Sequence, residues 1–148
     1  MTLAEQLQME IKGAMLARDT ERLNALRLLK SAMGYVQMEK KTDSLSDAEF
    51  IAVVQREVKK RRDAVEQFTQ GGRPVLAAKE RAEITVLVLF LPQPLLAAEL
   101  EAMVRAAIQE AGATDKKQMG AVIKAVQAQA GGRADGRAIS GVVGRLLP

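Results

Sequence analysis

Residues 46–91 read SDAEFIAVVQREVKKRRDAVEQFTQGGRPVLAAKERAEITVLVLFL, and the spacing of their apolar side chains decides the fold. Phe50, Val54, Val58, Val65 and Phe68 recur every three to four residues, with Arg61 completing the row, which is the period of one helix face. Ser46 followed three residues later by Glu49 is a capping box, so the helix opens there. Gly71-Gly72 stops it, and Pro74 sits in the first turn of the next helix, where a missing N–H costs nothing. That second helix runs to about Phe90 through Leu76, Ile84, Leu87 and Leu91.

Each stripe contains a charge. Arg61 occupies the centre of the first, Glu80 falls in the second, and Glu83 sits at its edge. The short turn between the helices forces antiparallel packing, which brings Arg61 level with Glu80 and Glu83. An unpaired buried charge is very costly, so the expectation is an interhelix ion pair that fixes register. A catalytic carboxylate pair is the competing reading. The run from Glu57 to Asp63, with Lys59, Lys60, Arg61 and Arg62, reads as a solvated helix face flanked by acids, or else as a second phosphate contact.

Outward from this hairpin the chain is helical in both directions. Thr2 and Glu5 form another capping box, followed by Leu3, Leu7, Ile11 and Ala14/Met15. Asp19 or Thr20 caps a helix carrying Leu23, Leu26, Leu29, Met33 and Val36, and Lys40 and Lys41 suit its negative end. Pro92 and Pro94 interrupt the chain and mark a domain boundary. Beyond them a fifth helix covers 95–111 without a polar cap, since Leu96-Ala97-Ala98 stands there. Thr114 caps a sixth, ending at Gly131, and Asp135 a seventh, running to the chain end. No alternating pattern suggests a strand. The fold class is all-α: a four-helix N-terminal domain, 1–91, and a small three-helix C-terminal tail domain, 92–148.

Composition narrows the chemistry. The 148 residues are 48% hydrophobic and 27% charged, ordinary for a globular protein. There is no His and no Cys, so no imidazole base, thiolate nucleophile or N/S zinc site can form; no catalytic residue, metal or cofactor is assigned. Lack of cysteine fits a reducing cytoplasm. No signal peptide and no transmembrane run are visible, so a cytoplasmic protein without membrane contact is expected. Net charge is +4. From Asp115 onward Lys116, Lys117, Lys124, Arg133, Arg137 and Arg145 face only Asp115 and Asp135, whereas residues 1–91 hold 15 basic and 13 acidic side chains. The positive field is therefore expected at the C-terminal end. The corner GGRADGR, residues 131–137, joins two helices; it reads as a phosphate-binding surface or as a plain turn with solubilising arginines.

Several segments carry a resemblance. They are Leu26 to Ala32 (LRLLKSA), Glu57 to Asp63 (EVKKRRD), Lys79-Glu80 with Glu83-Ile84, Phe90-Leu91-Pro92, Met119-Gly120 with Val122 to Ala125, and Gly132 to Gly136 (GRADG). In this order the chain resembles the GatB/YqeY-like proteins, free-standing relatives of the tail of the aspartyl/glutamyl-tRNA amidotransferase B subunit. The resemblance implies a helical body followed by a helical tail domain that reaches tRNA, a role carried onto Lys124, Arg133 and Arg137. It also brings the family label of a carbon–nitrogen ligase with glutamine as amido donor, although the catalytic body of the amidotransferase has no counterpart here.

Three functions follow in order. The first is a tRNA-associated accessory protein contacting tRNA through Lys116, Lys117, Lys124, Arg133, Arg137 and Arg145. The second is an interaction module docking on an amidotransferase or aminoacyl-tRNA synthetase. The third is an amide- or ligase-type enzyme using carboxylates and lysines.

Overall fold

The computed structural model describes all residues, Met1–Pro148, and they form seven α-helices joined by turns, without a strand. The helices are α1 (Leu3–Leu16), α2 (Thr20–Lys40), α3 (Asp47–Gln70), α4 (Pro74–Leu87), α5 (Ala97–Ala111), α6 (Met119–Ala130) and α7 (Gly136–Leu146). Single 3-10 turns cover Val88–Phe90, Lys116–Gln118 and Gly131–Arg133. The chain divides into two compact units, Met1–Leu91 and Pro92–Pro148.

Local chemistry starts and stops the helices of the first unit. The Thr2 hydroxyl accepts from Glu5 N while Thr2 N donates to the Glu5 carboxylate, and Ser46 and Glu49 repeat the exchange. Asp19, not Thr20, caps α2 by accepting from Arg22 N. Asp47 Oδ1 accepts from Leu3 N at 3.0 Å, which ties the start of α1 to the start of α3. Gly72 turns the chain out of α3 at φ +70, a conformation open to glycine at little cost, and Pro74 opens α4.

The unit is held by one apolar cluster. Leu7, Ile11 and Ala14 of α1 meet Leu26, Leu29, Met33 and Val36 of α2, Phe50, Val53, Val54 and Val58 of α3, and Leu87 and Phe90. The Phe50 and Phe90 rings lie 5.8 Å apart at 53°. The core ends along α3 at Val58; Val65 and Phe68 are only half-buried and Leu76 is exposed. The outer part of the α3–α4 hairpin is thus held mainly by α3 against α4, the most extensive helix pair in the protein.

The second unit has its own core: Leu100, Val104 and Ala107 of α5, Val122 and Val126 of α6, Ile139 and Val143 of α7, and Leu147. The fifth helix begins at Ala97, two residues later than the apolar pattern suggests. Leu96 supplies no side-chain cap, yet the Glu99 carboxylate reaches back to Leu96 N at 3.0 Å. Half of a capping box is therefore present. The sixth helix also differs at its start. Thr114 is not the cap: its N–H donates to Gln118 Oε1, Asp115 caps a 3-10 turn by accepting from Lys117 N, and α6 proper starts at Met119.

Candidate functional site

Two clusters bear on function, one in each unit. In the first, Arg61 is nine-tenths buried, its side chain 11% exposed. Its Nε donates to Glu83 Oε2 at 2.9 Å, and its Nη1 donates to Glu57 Oε2 at 3.0 Å and to Glu57 O at 3.1 Å. Glu80 takes no part. The hairpin turn at Gly71-Gly72 sets a register in which position numbers across it sum to about 144, so Arg61 faces Glu83 while Glu80 stands opposite Ala64, one turn nearer the tip. Glu57 fills the second place from its own helix, and the i,i+4 spacing of Glu57 and Arg61 carried that information. No buried side-chain polar atom lacks a partner.

The rest of the basic run divides. Lys59 pairs with Asp63 at 3.3 Å, and Lys60 lies 3.6 Å from Glu57. Arg56 forms no ion pair. Neither of two open surface clefts includes Arg61, Glu80 or Glu83; one, about 300 Å³, lies between α2 and α3, and the other, about 280 Å³, is lined by α1, α2 and the loop before α3. No three carboxylates converge as a metal site requires.

In the second unit the six basic residues fall into two groups. Arg133 is anchored: its Nε donates to Gln93 O at 3.0 Å, its backbone carbonyl accepts from Leu95 N at 2.9 Å, and its guanidinium lies 3.9 Å from Glu99. Arg145 lies 3.5 Å from Glu101, which also takes Arg105 at 2.8 Å. The hydrogen bond from Arg105, then the charge of Arg145, hold the Glu101 carboxyl below its usual range. Lys116, Lys117, Lys124 and Arg137 are exposed and form no ion pair. Lys124 projects from the side of α6 opposite Val122 and Val126, and Arg137 points away from Ile139 and Val143 on α7.

Counted over the whole unit, the charge is less one-sided than it is from Asp115 onward. Residues 92–148 hold seven basic and five acidic side chains, a net +2, the same as the 15 and 13 of residues 1–91. Acids of α5 lie beside two of these cations: Glu99 is 3.9 Å from Arg133, and Glu101 is shared by Arg145 and Arg105. Gly131 turns out of α6 at φ +59, but the first turn of α7 already holds the Asp135 carboxylate, which accepts from Ala138 N at 2.7 Å.

An all-helical chain with one apolar core in each unit, and with unpaired cations on its last two helices, is the class these observations define. The chain belongs to the YqeY-like protein family, whose model matches residues 4–147. Among curated proteins it is similar to an uncharacterized protein of Schizosaccharomyces pombe, 29% identical over 87 residues, covering 59% of this chain and 70% of that one. It is also similar to altered inheritance of mitochondria protein 41, mitochondrial, of Saccharomyces cerevisiae, 25% identical over 95 residues, covering 64% of this chain and 51% of that one. The counterpart in Lachancea thermotolerans is 26% identical over the same length. The matched stretch spans about half the length of these mitochondrial relatives. No helix is long and apolar enough to cross a membrane.

Proposed function

We propose that the protein is a tRNA-associated accessory factor whose C-terminal helices, acting as a tail domain, contact the phosphate backbone through Lys116, Lys117, Lys124 and Arg137. The observation that supports this reading is that these four cations are exposed and free of ion pairs, while Arg133 lies 3.9 Å from Glu99 and Arg145 shares Glu101 with Arg105. Cations already compensated contribute little to a phosphate surface, because binding must first break their pairs. Arg133 therefore moves from ligand to scaffold. Family membership supports the connection with the amidotransferase tail, and aromatic content of 3% suits contact by shape and phosphate over extended base stacking.

Ligase chemistry by this chain alone is not part of the reading, since Arg61 and Glu83 are engaged with each other. We place the protein in a reducing compartment, the cytoplasm, on its lack of cysteine. The test is binding of a transcribed tRNA at low salt by fluorescence anisotropy. The combined Lys117→Glu, Lys124→Glu, Arg137→Glu variant should lose binding, and Arg145→Glu should not. Equal affinity of the triple variant and the parent would sink the reading.

Docking on an amidotransferase or aminoacyl-tRNA synthetase is the second reading. It is favoured by Val75, 80% exposed, beside the exposed Leu76 at the tip of the α3–α4 hairpin. Pull-down of such an enzyme that survives nuclease and is lost in Val75→Asp would support it over direct tRNA contact.

A further inference from the structure

The cleft between α2 and α3 belongs to neither reading above. We propose that it takes a single unpaired nucleotide, the base stacked on Tyr35 and the phosphate held by Arg56 and Lys60. The site lies in the N-terminal unit and goes beyond the C-terminal reading without resting on it.

Tyr35 is the one aromatic ring placed to receive a ligand. Phe50 and Phe90 are 1% and 3% exposed in the core and Phe68 is half-buried, whereas Tyr35 is 72% exposed. A ring so open loses little by being covered and offers a π face to any base. It stands on the edge of a cleft of about 300 Å³, at the lower end of the size of small-molecule sites. Val36 and Val53 line that cleft but are 8% and 2% exposed, so they supply a closed wall and almost no apolar area for a partner helix. The one aromatic ring lining the cleft is Tyr35.

The charges around the ring are unevenly committed. Glu57 lines the cleft, but its carboxylate is engaged by Arg61 at 3.0 Å, and Lys60 approaches it only to 3.6 Å with a side chain 75% exposed. Arg56, one turn before Lys60 on α3, forms no ion pair. Two cations one helical turn apart thus border the cleft on the α3 side. Glu39, on α2 one turn beyond Tyr35, is the remaining charge. Its carboxylate disfavours a phosphate beside α2 and accepts a hydrogen bond from an exocyclic amine, so base and phosphate are sorted to opposite sides. A lone stacking platform suits a terminal or unstacked nucleotide of an RNA and gives no support to a run of stacked bases.

The test uses the full chain and exploits the presence of only one tyrosine. Its ring proton resonances, followed by NMR, report on the cleft alone. Adenosine 5′-monophosphate and a single-stranded adenylate hexamer should shift them saturably, and a blunt RNA duplex should not. For variants that lack the tyrosine signal, affinity is read by fluorescence anisotropy of a labelled hexamer, and Tyr35→Phe should retain binding. Tyr35→Ala should weaken it about 5- to 150-fold, the range for loss of one stacked base. Arg56→Glu with Lys60→Glu should weaken it at low salt. All these side chains are exposed or border an open cleft, and an unchanged amide spectrum of each variant confirms its fold. The Lys117, Lys124, Arg137 triple variant should still shift Tyr35, which separates this site from the C-terminal one. Resonances unmoved at millimolar nucleotide, or equal hexamer affinity in Tyr35→Ala, would overturn the proposal. So would a shift produced by amphipathic peptides and not by nucleotides.

Discussion

Replacing Arg61 by Met should be among the most destabilising single changes in the first unit, because it leaves Glu57 and Glu83 without the guanidinium they share. Their side chains are 16% and 14% exposed, and the guanidinium between them supplies two charged hydrogen bonds of 3.0 and 2.9 Å. Hydrogen bonds to charged groups contribute roughly 1.5–3 kcal/mol each. Removing one partner of a buried pair costs about 3–5 kcal/mol. Water reaches the edges of this cluster and Lys60 stays near Glu57, so the lower end applies, about 3 kcal/mol. For a unit of this size that corresponds to a fall in Tm of roughly 12–24 °C. Urea unfolding followed at the amides of Val54 and Leu87 isolates the first unit. The double variant Arg61→Met, Glu83→Leu should regain most of the loss, since no buried carboxylate is then left without a partner beyond Glu57, which keeps Lys60. An Arg61→Met protein within about 0.5 kcal/mol of the parent would refute the reasoning, because surface changes scatter by that much.

Acid should loosen the start of α3. Glu49 is held down to about 2, first by the hydrogen bond from Lys40, then by the Ser46 N–H and hydroxyl. Because that value lies below the ordinary 4.5, ionised Glu49 favours the folded state; its contribution is complete above about pH 4.5 and is lost as pH falls toward 2. Thermal melts across that range should show a shallower acid decline in Glu49→Gln than in the parent, and identical declines would contradict the assignment. At the α6–α7 corner, Gly131 holds φ +59 and ψ −129, with open space where a Cβ would stand. Gly131→Ala should therefore cost about 1–3 kcal/mol through backbone strain alone, whereas Gly132→Ala, at a φ that is not positive, should cost less. Chemical denaturation read at Val126 and Val143 measures both, and an equal effect of the two would argue against strain.

What the sequence made legible was local or periodic. Capping boxes at Thr2 and Ser46, the stops at Gly72, Gly112 and Gly131, and Pro74 at a helix start are each set by residues within one turn, and the all-helical fold follows from them with the apolar stripes. The Arg61–Glu83 contact was legible because a two-glycine turn leaves little freedom in register. Glu80 and Glu83 share one stripe in the sequence, but three residues separate them by most of a helical turn, and only Glu83 comes level with Arg61. Arg133 was beyond reach. Its partner, Gln93 O, lies forty residues away in an irregular segment, and no periodicity announces such a contact. The pairing of α5 with the last basic residues was hidden for a related reason. Glu99 and Glu101 of α5 come beside Arg133 and Arg145 only after folding.

The most direct test of the central claim is the salt dependence of tRNA affinity. Four phosphate contacts release about 0.7–0.9 counterions each, so log affinity against log salt should fall with a slope of about −3 to −4. Removing three of them in the Lys117→Glu, Lys124→Glu, Arg137→Glu variant should flatten the slope to about −1 or weaker, with affinity lost most strongly at low salt. A slope near zero for the parent protein, or the same steep slope in parent and variant, would contradict the assignment of these four cations as the tRNA contact.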